Sequence, residues 1–93
     1  MFCKLIKNDN TLTFNGEIVY SNVMDLLKEA KSIITSSNVD TLDLSNLEHV
    51  DSSAIALFLE LIKIKQGRQL KFINKGLQLT KLIDVSGLNK IFN

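Results

Sequence analysis

Apolar and polar positions along this chain change period several times, and each change marks an element. Phe2 to Lys7 reads as a strand. Asn8-Asp9-Asn10 follows as a turn, since short amide and carboxylate side chains bond their own backbone there. Thr11 to Asn15 then alternates again, with Leu12 and Phe14 on one face. These segments predict a hairpin that ends at Gly16 and opens into a loop, Glu17-Ile18-Val19-Tyr20-Ser21. From here the period lengthens. Val23, Leu26, Leu27, Ala30, Ile33 and Ile34 share one face of a helix, and Asn22 is placed to cap it, with Asp25 in a box-like arrangement. Ser36-Ser37-Asn38 stops it. Thr41 to Leu47 contains a strand with Leu42 and Leu44 inward, and a loop through Asn46, Glu48 and His49 leads to Asp51-Ser52-Ser53. These open a second helix to about Gln66, ended by Gly67 with Lys63, Lys65 and Arg68 near its negative end. Leu70 to Ile73 is a strand. Leu77 to Val85 is a third helix with Leu79, Leu82 and Ile83 inward, and Ser86-Gly87 ends it. Leu88-Asn89-Lys90-Ile91-Phe92 is a short apolar tail that packs back. The order ββαβαβα predicts an α/β fold, a four-stranded mixed sheet with helices packed on it.

The second helix is unusually apolar. At about 100° per residue, its apolar positions from Ala54 to Ile64 spread over an arc about twice the width of the roughly 100° stripe of an ordinary surface helix. Either neighbouring helices cover the whole arc, or part of it is left as a patch for a partner. Its start also has two readings. Asp or Ser there accepts a bond from the first backbone N–H groups, worth about 1 kcal/mol. Alternatively, Ser52 is a phosphoacceptor or contact residue. A phosphate would add about −1.5 to −2 charge, favoured by the helix N-terminus and opposed by Asp51.

Composition narrows the function classes. Ninety-three residues, 45% hydrophobic and 23% charged, are expected to form one soluble domain spanning 1–93. The single cysteine, Cys3, excludes an internal disulfide and reads as a packed thiol. With one histidine, His49, it cannot make a zinc site, and no cofactor is expected. The N-terminus lacks the pattern of a signal peptide. The most apolar segment, Ala54 to Ile64, is well short of the roughly 20 residues of a membrane span. A cytoplasmic location without membrane insertion is therefore expected. Net charge is −5 over residues 1–62 and +6 over 63–93, but the basic residues are spaced singly with no aromatics among them, which argues against nucleic acid. Gly16, Gly67, Gly76 and Gly87 are isolated, so no phosphate-binding loop exists. Without a constellation of positioned acid, base or nucleophile, an enzyme is not expected.

The segment Asp43-Leu44-Ser45-Asn46-Leu47-Glu48-His49-Val50-Asp51-Ser52-Ser53-Ala54-Ile55 resembles the signature of STAS domains, in which an Asp-Leu-Ser strand end is followed by Asp-Ser/Thr-Ser/Gly-Gly-Leu at a helix start. The similarity extends to Gly16-Glu17-Ile18 upstream. Downstream it takes in Leu82 to Phe92, a tail typical of anti-sigma factor antagonists, so that it covers nearly the whole chain. It implies a non-catalytic protein-interaction module, in one of two branches. One is the soluble STAS subunit of the phospholipid-transporting ABC system that maintains outer-membrane lipid asymmetry. Those subunits are similarly short, and they resemble this chain through Ala56 to Ile62 and Gln66-Gly67. The resemblance implies a seat against the ATPase subunit, at the inner face of the inner membrane through that partner. The other branch is the anti-sigma factor antagonist, in which a partner kinase phosphorylates the serine aligned with Ser52 and so abolishes binding. In both, the expected contact surface is Asp51, Ser52, Ser53, Ala56, Leu59 and Lys63, with Glu17, Ile18, Val19 and Tyr20 alongside. A weak homodimer through the same helix face is a third option. Two positions depart from the family pattern: Ala54 stands where Gly is usual, and Val19 where Asp often follows the Gly-Glu-hydrophobic turn.

Overall fold

The computed structural model describes residues 2–65 and 69–92. β1 (Cys3–Asn8) and β2 (Thr11–Ile18) form the antiparallel hairpin. They are followed by α1 (Val23–Ser36), β3 (Thr41–Asp43), β4 (Leu47–Val50), α2 (Ser53–Ile64), β5 (Lys71–Ile73) and α3 (Gly76–Ser86). The sheet has five strands in the order β1-β2-β3-β5, with β4 also on β2. The expected fold class holds, but four strands were predicted, and the addition is β4, where the sequence reads as loop. β3 runs parallel to β2 at Thr11–Thr13, and β4 parallel to it at Gly16–Ile18. They form one flank of β2, interrupted by a turn in which Asp43 accepts the Ser45 N–H at 3.0 Å and Leu44 accepts the Leu47 N–H at 3.2 Å.

β2 therefore does not end at Gly16. It continues to Ile18 through a register shift between Gly16 and Glu17, where Glu48 is the extra residue opposite. Gly16 is needed there for two reasons. Its φ is +129°, and a Cβ would stand 2.2 Å from the Phe2 carbonyl oxygen. That carbonyl accepts the Glu17 N–H at 2.8 Å, and the Gly16 N–H reaches Asn46 O at 3.1 Å, so the chain is tied to both neighbours at this point.

The core lies between the sheet and α1 and α2. Leu12, Phe14, Leu42, Leu44 and Phe72 supply the inward sheet face, and Leu26, Ala30 and Ile34 the predicted face of α1. Phe58 of α2 sits at the centre, edge-on to Phe14, Phe72 and Phe92 with centroids 5.7, 5.3 and 6.4 Å away. The wide apolar arc of α2 is largely covered. Ala54, Ile55, Leu57, Phe58 and Leu61 are buried, and Leu59, Ile62 and Ile64 are partly buried against the same core. Ala54 is itself fully enclosed, so its methyl group fills core space. The tail packs back as expected: Gly87 turns α3 in the left-handed conformation at φ 72°, and Phe92 ends in the core. Cys3 is half-buried, and burial pushes its thiol pKa up to about 11. The predicted stop of α2 at Gly67, with Gln66 and Arg68, lies outside the described residues.

Candidate functional site

β2 and β4 are parallel neighbours, and each leads into a helix. α1 and α2 consequently start at the same end of the sheet, and the expected contact residues fall around these two starts. Asp51 organises them. One carboxylate oxygen accepts the Ser53 N–H at 2.8 Å, and the other accepts the Tyr20 N–H at 3.0 Å, from the loop before α1. Desolvation works against its charge, but the N–H groups of Tyr20 and Ser53 outweigh it and hold the carboxyl below its usual range.

The hydroxyl expected to cap α2 does not do so. Ser52 occupies the cap position with helical φ and ψ, makes no side-chain cap bond and is exposed. Asp51 instead takes the first N–H of the helix, that of Ser53, and the donors a Ser52 hydroxyl would cap are held by backbone carbonyls. The next two N–H groups, of Ala54 and Ile55, bond to the carbonyls of Asp51 and Ser52 at 3.0 and 3.1 Å. Asn22 departs from expectation in the same way. Instead of capping α1, its side chain accepts the Val19 N–H at 2.9 Å and donates to Glu17 O at 2.8 Å, closing the loop on itself. This pins the residue that stands in place of the usual Asp.

Of the expected loop contacts, Ile18 and Val19 are corrected. Both side chains are buried in the core and cannot meet a partner. Tyr20, 84% exposed, and half-buried Glu17 remain. On α2, Ala56 and Lys63 are exposed, Ser53 and Leu59 partly so, and Lys63 pairs with Glu60 at 3.1 Å. Between the helix starts runs an apolar groove of about 310 Å³, lined by Tyr20, Val23, Met24 and Leu27 on one side and Ser53, Ala56, Leu57 and Glu60 on the other. Leu59 and Lys63 lie off this groove. Val23, Met24, Leu27 and Glu60 line the groove and were not among the expected contact residues. Met24, 64% exposed, was the available signal: it is an apolar residue outside the inward stripe of α1, close to Tyr20.

His49 lies on β4, its Nδ1 3.4 Å from Gln78 Nε2, while Gln78 Oε1 accepts the Val50 N–H at 3.2 Å. It therefore belongs to the joint between β4 and α3. Among the described residues no cluster of three or more His, Cys, Asp or Glu could hold a metal ion, and no helix is long and apolar enough to cross a membrane.

The STAS domain family matches residues 4–93. The chain belongs to the STAS domain family. STAS domains of this fold are non-enzymatic interaction domains, in keeping with a surface that offers a groove and a helix tip. Solved structures that share the fold include the following three. The unphosphorylated form of the anti-sigma factor antagonist SpoIIAA has a TM-score of 0.75 and 20% identity, over 99% of this STAS domain and 86% of that chain. The phosphorylated form of the Bacillus cell fate determinant SpoIIAA has a TM-score of 0.68 and 20% identity, over 99% and 89%. An anti-sigma factor antagonist from Mycobacterium paratuberculosis has a TM-score of 0.74 and 20% identity, over 98% and 81%. No curated protein matches this STAS domain in sequence.

Proposed function

We propose that this STAS domain is the accessory subunit of a phospholipid-transporting ABC system and docks on its ATPase subunit through the α2 start and the α1–α2 groove. The observation that carries the reading is the exposed apolar surface at the shared helix start, with Tyr20 and Met24 outward beside Ala56. Permanent subunit contacts are more apolar than transient ones, and such a surface suits a contact that is made once and kept. The partner places the subunit in the cytoplasm, at the inner face of the inner membrane. Copurification of the chain with the candidate ATPase tests this: a complex at micromolar concentration is expected, and its absence refutes the assignment. Ser52→Glu should weaken the complex at least about tenfold, because it sets an unpaired charge against a packed surface. Unchanged affinity would move the contact elsewhere.

A second reading, an anti-sigma factor antagonist switched at Ser52 by a partner kinase, is favoured by one specific observation. The Ser52 side chain is exposed and takes no part in capping, so a kinase can reach it without unravelling α2. A phosphate there meets an already satisfied helix start: Ser53, Ala54 and Ile55 N–H have partners, and the Asp51 carboxylate stands beside it. It would stay in solvent and alter the docking surface rather than the fold. Intact-mass measurement of the protein from its native cells separates the readings. A form heavier by one phosphate supports the switch, and its persistent absence across growth conditions supports the ATPase subunit.

A further inference from the structure

α1 sorts its charges by side. Asp25 and Glu29 line a cleft towards β1, with Phe2, Cys3, Asn22 and Leu26. Met24 and Leu27 line the groove towards α2. Lys28 stands one turn on from Met24 on that flank, and Lys31 one turn on from Leu27. The same step recurs on α2. Ala56 lines the groove, and Lys63 follows it seven residues later, as Lys31 follows Met24. Seven helical residues rise about 10 Å, and the two helices start together. An apolar trough at the helix starts therefore gives way, one to two turns (about 6–10 Å) further along, to Lys28, Lys31 and Lys63, all exposed. The one acid on this path, Glu60, is exposed and already paired with Lys63.

We propose that the groove receives an acidic amphipathic helix of a protein partner. Its apolar side chains seat between Tyr20, Met24 and Ala56, and its carboxylates, one to two turns away, meet Lys28 and Lys31, with Lys63 at the margin. Two side-by-side helices offer a third helix a groove of the right shape. The charge order fixes the occupant's polarity: a basic helix would meet the ammonium groups of Lys28 and Lys31, and a neutral one would leave them unused. The proposal rests on the docking reading above and names what docks.

The test is selection from a displayed library of 18-residue helical peptides, randomised over apolar, acidic and basic residues, against the intact chain. Enriched peptides are expected to carry an apolar pair with Asp or Glu about four to seven residues away. They should bind at least tenfold more weakly to Met24→Lys and to the surface double variant Lys28→Glu/Lys31→Glu. Reselection against the double variant should shift the winners towards Lys and Arg. Neutral or basic winners against the native chain, binding indifferent to either variant, or no enrichment would each overturn the proposal. Thermal unfolding of both variants near the native temperature keeps misfolding out of the comparison. A failed selection alongside an intact ATPase complex would discard the helical occupant alone. Loss of the ATPase complex with a successful selection would discard the partner assignment alone.

Discussion

Replacing Asp51 by alanine and, separately, Ser52 by alanine divides the two accounts of the α2 start. Asp51→Ala removes the acceptor for the Ser53 N–H at 2.8 Å and for the Tyr20 N–H at 3.0 Å. Loss of a capping side chain costs about 0.5–2 kcal/mol. The Tyr20 bond adds about 0.5–1 kcal/mol, towards the low end because water screens this surface carboxylate. The sum is about 1–2.5 kcal/mol, or a fall in Tm of roughly 4–20 °C for a domain of this size. Ser52→Ala removes an exposed hydroxyl with no capping bond and should change stability by less than about 0.5 kcal/mol. Urea titration followed by circular dichroism reads both. The pH dependence supplies a sign. The N–H donors lower the folded carboxyl pKa, so the stabilisation is present above the ordinary carboxylate value of about 3.9 and is lost as pH falls through the lower folded value. Native and Asp51→Ala stabilities should therefore converge in acid. Equal losses from Ser52→Ala and Asp51→Ala, or a gap that persists at acid pH, would refute the assignment of the cap to Asp51.

Three further outcomes are expected. Gly16→Ala must move the Phe2 carbonyl away from a Cβ otherwise 2.2 Å from it, disturbing its bond with Glu17 and adding the strain of a positive φ. A loss of about 2–3 kcal/mol in urea titration follows, and a near-neutral result would place the bulge elsewhere. Phe92→Ala empties a fully enclosed aromatic site beside Phe58 and Phe72 and should cost about 3 kcal/mol; a small change in Tm would mean that the tail is not docked. With its thiol pKa raised to about 11, Cys3 should react with iodoacetamide at pH 8 roughly two orders of magnitude more slowly than a free cysteine of pKa about 8.5. Urea should abolish the difference, and fast labelling of the folded protein would contradict its burial.

Where a residue's role depends on near neighbours in sequence, it was legible in the chain. The spacing of Leu26, Ala30 and Ile34 set the inward face of α1, and the alternation of Leu12 and Phe14 set that of β2. The apolar residues of the tail foretold a return to the core, and the Asp-Ser-Ser run located the start of α2 within one residue. The family signature extended this to the overall fold. Local pattern could not reveal β4, because Leu47-Glu48-His49-Val50 has no strong alternation and becomes a strand by lying along Gly16–Ile18, about thirty positions earlier. Pairing also carried β2 past Gly16 and drew Ile18 and Val19 inward. Asp51, Ser52 and Asn22 all have side chains suited to capping. Their division of labour was decided by which N–H groups the fold brought within reach, those of Tyr20 and Ser53 for Asp51 and that of Val19 for Asn22. The α1–α2 groove is tertiary in the same sense: Met24 and Ala56 belong to separate periodic patterns, and only parallel packing of β2 and β4 sets the two helix starts side by side.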